Sequence, residues 1–328
     1  AKIPTSAMLV PRAAFSYLAG AIKKEVSIPV IVTNRINDPL LAEELLQDGV
    51  ADMVGMARAL IADPELPSKA MTGRREEIAP CIACNQGCMD GVFMGRPVTC
   101  LVNPAAGQEA DFEINPAREP RTVMVIGAGP GGMEAARVLA IRGHEVILVE
   151  REQELGGQLK LCGIAEDRGE FRSYLRYLIH EVNRLDIRII AGTEATEHTV
   201  LESRPDVVIV AAGARQDLPD IPGIDKPHVY TAESVLQRKA DLRGKIVIIG
   251  GGHIGCEVAL YAAQRGAMPS DVARFLVRHG ALAHEEALAY MGQTRPVTIV
   301  EQRKKVAAYY GRPSRFGILQ SLHTHGVT

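Results

Sequence analysis

The chain has 328 residues, of which 47% are hydrophobic and 23% charged, and its formal net charge is −2. This is typical of a globular protein of about two domains, and a nearly neutral chain without tryptophan gives no basis for nucleic-acid binding. No apolar run approaches the ~18 residues that cross a membrane. Six cysteines are too few for a disulfide scaffold, which favours a reducing, cytoplasmic location.

The first part of the chain has the pattern of alternating strands and helices. Residues 28–33 are predicted to form a buried parallel strand, and Asp38-Pro39 supplies an N-cap and a first-turn proline for a helix. A second strand is predicted at 51–55 and a second helix from about Ala57. The pattern predicts a β–α–β–α unit that is the last part of a larger domain.

Four cysteines lie close together in the next segment. Four thiolates on one short loop can hold a [4Fe–4S] cluster or a zinc ion. Structural zinc usually has two paired C-x2-4-C knuckles, whereas here three cysteines cluster and the fourth stands apart, which favours iron–sulfur; zinc stays open. The candidate ligands are Cys81, Cys84, Cys88 and Cys100.

A glycine-rich loop follows a predicted strand at 122–127 and opens a helix predicted at 131–142. Its three glycines suit a tight turn, a close approach to a pyrophosphate, and packing of helix on strand. An acidic residue about twenty positions on, at a strand end, can bind ribose hydroxyls. The predicted nucleotide-binding residues are Gly127, Gly129, Gly132 and Glu150.

A second loop of the same type follows a predicted strand at 245–249 and makes an internal repeat. It contains Gly250, Gly252 and Gly255. A helical insertion is predicted at 267–293, so the strand-end acid of this unit is Glu301. Glu301 favours NADH, but Arg303 could bind the 2′-phosphate of NADPH or simply begin a solvated helix, so the choice stays open.

Together these residues resemble the bacterial 2,4-dienoyl-CoA reductases, an old-yellow-enzyme-type family related to 2-enoate reductase and trimethylamine dehydrogenase. The resemblance covers nearly the whole chain. It rests on the cysteine quartet, the two glycine loops and several short markers: Val10-Pro11-Arg12, Thr33-Asn34-Arg35-Ile36, Ala51-Asp52-Met53, Met56-Ala57-Arg58, Cys100-Leu101-Val102-Asn103-Pro104 and Gly156-Gly157-Gln158.

The resemblance implies an α/β fold in four parts. These are the C-terminal portion of an FMN-binding TIM (β/α)8 barrel at 1–75, a [4Fe–4S] segment and linker at 76–120, a Rossmann-like FAD domain at 121–242, and an incomplete Rossmann-like NAD(P)H domain at 243–328. It implies an enzyme in which electrons pass from NAD(P)H through FAD and the cluster to FMN. The reduced group would be a C=C bond of an unsaturated acyl-CoA.

The resemblance also implies roles for particular residues. Arg35 and the Ala57-Arg58 turn would hold the FMN phosphate or flavin, as at the phosphate site of TIM barrels. Gln158 would contact the FAD, and Glu301 and Arg303 would face the nicotinamide cofactor. The family's active-site histidine and tyrosine have no counterpart in these residues, so no catalytic residue is predicted.

Other interpretations stay open. The chain is expected to be an internal fragment, or a subunit whose missing barrel portion comes from a partner, and a homo-oligomer is not excluded. An amine dehydrogenase of the trimethylamine type is one alternative, although the intact second glycine loop argues against it. A non-catalytic electron-transfer subunit is the other.

Overall fold

The computed structural model describes residues 7–165 and 168–328, except for the side chains of residues 312 and 313. The described part of Pro4–Arg215 forms one compact unit and Gln216–Thr328 forms a second. Every strand pair in the described residues is parallel. Parallel strands need crossover connections, here mostly helical, so the α/β class predicted from the sequence is confirmed.

The predicted β–α–β–α unit is present at the start of the first compact unit. Strands β1 (Ile31–Thr33) and β2 (Met53–Gly55) pair in parallel, and helix α2 (Pro39–Gln47) connects them. The predicted burial of the first strand is wrong, because only Val32 of β1 is buried. The Asp38 carboxylate accepts a hydrogen bond from the backbone N–H of Leu40 at 3.1 Å, which makes it the expected N-cap. Helices α1 (Ser16–Glu25) and α3 (Ala57–Ala62) flank the pair.

The cysteine segment has little regular structure. Helix α4 (Leu66–Met71) and a 3-10 turn (Arg75–Glu77) precede it, and helix α5 (Met89–Phe93) lies within it. No helix or strand is found from there to residue 121, all of which the structure describes, as expected for the linker in the predicted 76–120 segment. Ile82 and Val102 are nonetheless buried in the same apolar cluster as the following domain.

A four-stranded parallel sheet forms the centre of the first compact unit. Its order is β5–β4–β3–β6, with β3 and β4 buried in the middle. The strands are β3 (Thr122–Ile126), β4 (Glu145–Val149), β5 (Ile187–Ile190) and β6 (Val207–Val210). The helices are α6 (Pro130–Ile141), α7 (Leu159–Cys162), α8 (Gly169–Arg184) and α9 (Glu197–Ser203). Met133, Leu148 and Leu178 fill the space between sheet and helices.

The second compact unit contains a parallel pair of strands, β7 (Ile246–Ile249) and β8 (Val297–Val300). Helix α11 (His253–Gln264) follows β7 and has a largely buried face. The expected helical insertion forms α12 (Ser270–Arg278) and α13 (His284–Met291). The remaining helices are α10 (Ala232–Leu236) and α14 (Arg312–Thr324). None of the helices among the described residues has the length and apolarity needed to cross a membrane.

Candidate functional site

The first glycine loop connects β3 to α6 and leaves no room for side chains at two of its positions. Gly127 has φ +101°, and a Cβ there would lie 2.5 Å from the carbonyl oxygen of Ala211. A Cβ at Gly132 would overlap the carbonyl oxygen of Gly127. At Gly129 nothing lies within 4 Å of the Cβ position, beside the N-terminus of α6. An anionic group such as a pyrophosphate therefore fits here.

Glu150 lies at the end of β4 and is only 6% exposed. Its Oε2 accepts a hydrogen bond from the Ala128 N–H at 2.7 Å, and its Oε1 accepts one from the Glu152 N–H at 3.0 Å. A carboxylate has about four lone-pair positions, so these two bonds leave acceptors for ribose hydroxyls. The role predicted for Glu150 in nucleotide binding stays a prediction.

The Gly156-Gly157-Gln158 turn packs directly on the first glycine loop. The Gly156 N–H donates to the carbonyl oxygen of Ala128 at 2.8 Å, and a Cβ at Gly157 would lie 3.1 Å from the Cα of Gly129. Gln158 Nε2 donates to the Ala214 carbonyl oxygen at 2.8 Å. The structure therefore brings these predicted flavin-contacting residues to one edge of the sheet.

The second glycine loop repeats the same backbone geometry. Gly250 has φ +101°, and a Cβ at Gly255 would overlap the carbonyl oxygen of Gly250. Glu301 Oε2 accepts from the Gly251 N–H at 2.7 Å, and Oε1 accepts from the Arg303 N–H at 2.8 Å. The Arg303 and Gly251 N–H groups hold the pKa of Glu301 below its ordinary value.

Arg303 also lies over an aromatic ring. The guanidinium carbon of Arg303 is 4.4 Å from the ring centre of Tyr309, which is a cation–π contact. A planar cation held beside Glu301 can stack on an adenine or pair with a phosphate. The structure thus places both groups that bear on the choice between NADH and NADPH on one side of this loop.

The four predicted ligand cysteines lie in one region of the first compact unit. Each is partly exposed, and Cys81, Cys84 and Cys100 pack against the apolar cluster of the unit. A Cβ at Gly87 would overlap the carbonyl oxygen of Thr99, whose N–H donates to Gly87 at 3.2 Å. This close approach packs the backbone next to Cys88 against the backbone next to Cys100.

The four cysteines are close enough to interact electrostatically, but their side chains are not arranged as a metal-ligand set. Burial raises the pKa of Cys81 and Cys88, and it raises the pKa of Cys84 to about 12. A thiolate in this position therefore needs a nearby cation such as a metal. Within the described part of the chain, no three His, Cys, Asp or Glu side chains are placed so that they could hold a metal ion. The cluster assignment accordingly stays a prediction.

An open cleft lies where β1 and β2 end. Residues 33–37 and 55–59 form two of its walls, and Cys81 and Ala83 of the cysteine segment form a third. Arg58 lines it and donates from Nη1 to the Oδ1 of Asn85 at 2.6 Å. The carboxyl ends of parallel strands are the usual ligand-binding edge of a β/α fold.

Two buried acceptors in this cleft have no hydrogen-bond partner. They are the Oδ1 atoms of Asn34 and Asn37. Asn34 has φ +90° and Arg35 has φ +56°, so this turn is held in a conformation that ordinary residues rarely adopt. Unpaired acceptors and a strained turn in a cleft suit a ligand with N–H or O–H donors, and a flavin has such a group.

Arg35 reaches the cleft wall but is largely occupied by internal partners. It is 6% exposed, and its Nε donates to the Val10 carbonyl oxygen at 2.8 Å. Its Nη1 lies 3.0 Å from Glu170 Oε1. Burial lowers the pKa of Arg35, against the opposing effect of Glu170.

Glu170 is the residue that sequence reasoning missed. It is 4% exposed in the first turn of α8. Its carboxylate accepts two hydrogen bonds from Arg12, at 2.8 and 2.7 Å, and one from Asn37 Nδ2 at 3.1 Å. Nothing in the sequence distinguishes it from the exposed charged residues of an amphipathic helix.

Two family models match the chain in succession. Residues 10–77 match the NADH:flavin oxidoreductase / NADH oxidase family. Residues 121–328 match the pyridine nucleotide-disulphide oxidoreductase model.

Individual relatives match most or all of the chain. A metal reductase of Desulforamulus reducens is 42% identical over 331 residues, covering 99% of this chain and 50% of the relative. An N,N-dimethylglycine/sarcosine dehydrogenase of Chromohalobacter salexigens is 38% identical over 273 residues, covering 79% and 39%. The solved structure of a 2-naphthoyl-CoA reductase with 2-naphthoyl-CoA matches at TM-score 0.87 and 31% identity, covering 100% of this chain and 46% of that one.

The chain spans about half the length, or less, of the relatives that it matches. The second family model extends over more than half of the chain. The prediction of an NAD(P)H-dependent oxidoreductase is therefore confirmed at the level of the family. The resemblance to old-yellow-enzyme-like NADH:flavin oxidoreductases is likewise confirmed, with the dienoyl-CoA reductases not singled out. The chain belongs to the pyridine nucleotide-disulphide oxidoreductase family and carries, before that region, sequence of the NADH:flavin oxidoreductase family.

Proposed function

We propose that the protein is an NAD(P)H-dependent reductase of a C=C bond in an unsaturated acyl-CoA thioester. One observation carries this proposal: residues of the cysteine segment, Cys81 and Ala83, form a wall of the cleft at the ends of β1 and β2. A redox group on the cysteines would then lie beside a flavin in the cleft. The relative solved with 2-naphthoyl-CoA supports a thioester substrate.

In this proposal each cofactor has a set of residues. FAD is held by Gly127, Gly129, Gly132, Glu150 and Gln158, FMN by Arg35, Ala57 and Arg58, and a [4Fe–4S] cluster by Cys81, Cys84, Cys88 and Cys100. When bound, these groups would supply two-electron acceptance, one-electron transfer and hydride delivery. Asn34 would offer its unpaired Oδ1 to a flavin donor. Further barrel residues, beyond those described, would supply the proton.

The nicotinamide cofactor is assigned to the second glycine loop. Gly250, Gly252 and Gly255 would face its pyrophosphate, and Glu301 would accept from its ribose hydroxyls. The carboxylate of Glu301 is preferred to the Arg303 side chain as the determinant because two backbone N–H groups fix it in place. We therefore propose that the protein prefers NADH to NADPH, with a modest difference in affinity between the two.

A second candidate is an amine dehydrogenase. The similarity to the N,N-dimethylglycine/sarcosine dehydrogenase favours it. The glycine geometry of the second loop favours the reductase, because an enzyme that passes electrons onward to another protein has no need of an NADH site. In the reductase, electrons would enter from NADH and leave at the cleft, whereas in the amine dehydrogenase they would enter at the cleft and leave to another protein.

The test is anaerobic purification followed by iron, sulfide, zinc, FAD and FMN analysis, and then turnover. NADH and NADPH are each added with crotonyl-CoA, a dienoyl-CoA, sarcosine or a soluble ferric complex. We expect iron, sulfide and both flavins, bleaching by NADH, and NADH oxidation that depends on an unsaturated thioester.

Three outcomes contradict the proposal. Zinc in place of iron removes the one-electron link. Sarcosine oxidation without any response to NADH establishes the amine dehydrogenase instead. Ferric reduction by NADH with no thioester turnover points to the activity named for the relative of Desulforamulus reducens.

A further inference from the structure

The first compact unit contains a buried charge network that joins three of its parts. Glu170 belongs to α8, beside the four-stranded sheet, while its partners Arg35 and Asn37 line the cleft and its third partner, Arg12, also pairs with Asp38. Asn37 Nδ2 also donates to the carbonyl oxygen of Cys81 at 2.6 Å. One carboxylate thus contacts groups that belong to the cleft, and through Asn37 it reaches the backbone of a predicted cluster ligand.

The network is electrostatically unbalanced without that carboxylate. The side chains of Arg35 and Glu170 are 4% and 5% exposed, so solvent screens their interaction weakly. Removing one partner of a buried ion pair leaves the other charge uncompensated in a low-dielectric site. Arg12 lies further out, at 31% side-chain exposure, and pairs with Asp38 as well.

The geometry points to Glu170 as a positioning residue that sets both the spacing and the charge between the cleft and the cysteine segment. It fixes Arg35 in the cleft wall and Asn37 on the backbone of Cys81, so that the two sites keep one separation. Its single negative charge also compensates one of the two guanidinium charges that it contacts, those of Arg12 and Arg35. This inference rests on the proposed function, because it assigns FMN to the cleft.

Helix α8 itself provides a matched control. Glu181 lies 2% exposed on the same helix and forms a bidentate pair with Arg184, at 2.5 and 2.9 Å. It is eleven residues from Glu170, which is about 16 Å along the helix axis. Glu181→Gln therefore removes an equally buried, equally paired carboxylate that does not contact the cleft.

The experiment compares the FMN midpoint potential and NADH-driven electron transfer in the anaerobic holoprotein. Glu170→Gln leaves Arg35 uncompensated, which favours reduced flavin. We expect the one-electron equilibrium of FMN to move about tenfold toward reduction, or ~59 mV, and FMN reduction by NADH to slow. Glu181→Gln should lower thermal stability but leave the potential unchanged. Arg12→Gln removes a positive charge and should move the potential in the opposite direction.

The outcomes separate this inference from the proposed function. Wild-type protein without FMN refutes both. Wild-type protein with FMN, whose potential in Glu170→Gln matches that of Glu181→Gln, refutes the inference alone. Where Glu170→Gln fails to fold or to retain flavin, Arg12→Gln decides: a lowered potential supports the role of Glu170, and an unchanged potential overturns it.

Discussion

The two glycine loops have the same local geometry in different surroundings. In both, the first glycine has φ +101° and the third contacts the carbonyl oxygen of the first too closely for a Cβ. In both, a glutamate at the end of a strand accepts one hydrogen bond from a loop N–H and one from the N–H of the second residue after it. The first loop is closed in by Ala211, whereas nothing lies within 4 Å of the Cβ position of Gly250.

The difference shows which properties of a nucleotide site are local. Glycine spacing and a carboxylate that caps the loop are enough to form the turn, so a two-stranded sheet displays it as well as a four-stranded one. The first loop is enclosed because β3 pairs with β6 on one side as well as with β4 on the other. Among the described residues, β7 pairs with β8 alone, so the second loop has no counterpart of β6. We therefore expect substitutions in the two loops to differ in stability more than in nucleotide binding.

The largest effects are expected at the third glycine of each loop. Gly132→Ala should reduce FAD binding roughly tenfold or more, because the Cβ displaces the carbonyl of Gly127 and with it the loop. Gly255→Ala should keep FAD but lose bleaching by NADH. Flavin content and stopped-flow reduction measure the two. Equal loss of FAD in both variants would contradict separate sites.

The first glycine of each loop should separate enclosure from backbone strain. Ala at either position is strained by about 1–3 kcal/mol in the left-handed region. Gly127→Ala adds a clash with the carbonyl oxygen of Ala211, and Gly250→Ala adds none. Thermal unfolding followed by hydrogen exchange should show a greater loss around residues 121–215 in Gly127→Ala. Similar losses in both variants would show that enclosure is unimportant.

A smaller contrast is expected in acid. Hydrogen bonds and charge from the neighbouring arginines, Arg12 first, outweigh desolvation by burial and hold the pKa of Glu170 below its ordinary 4.5. A depressed folded-state pKa contributes stability above the unfolded value, and that stability is lost as pH falls through the folded value. Residues 7–215 should therefore lose exchange protection more steeply than 216–328 below about pH 4.5.

The partly exposed Glu301 carboxylate is the internal comparison for that measurement, since solvent screens its contribution. Glu170→Gln should flatten the acid dependence of residues 7–215, while Glu301→Gln should change that of 216–328 little. An acid dependence that is identical in the wild type and Glu170→Gln would show that Glu170 does not contribute to it.

The smallest effect is expected at Arg303. Its contact with the Tyr309 ring is worth ~0.5–1 kcal/mol at an exposed site. Arg303→Gln should lower the affinity for NADPH a few-fold and leave that for NADH nearly unchanged. Initial rates with both cofactors measure the ratio. A larger loss of affinity for NADH than for NADPH would indicate that Arg303 contacts the adenine and not a phosphate.

Much of the fold could be predicted because its determinants lie within a few residues of one another. Asp38 as an N-cap, the strand before each glycine loop and the helices of the insertion depend on local spacing, and each is found close to where the sequence predicts it. Glycine identity at Gly132 and Gly255 follows from the same local geometry.

The charge network could not be predicted in this way. Arg12 and Glu170 are 158 positions apart, and the pair forms only because β1, the cysteine segment and α8 meet in one unit. Arg12 belongs to one of the short markers on which the family resemblance rests, whereas no sequence pattern indicates a role for Glu170. Arg35 illustrates the same limit: the resemblance implies that it holds a flavin phosphate, but its main partner is this distant carboxylate.

The central claim is that electrons from NADH reach the cysteine segment beside the cleft. The most direct test is the low-temperature electron paramagnetic resonance spectrum of the anaerobic holoprotein after addition of NADH. We expect a reduced iron–sulfur signal that is lost in Cys84→Ser while FAD is still bleached. A protein with bound zinc, or with an iron–sulfur cluster that NADH leaves oxidised, would contradict it.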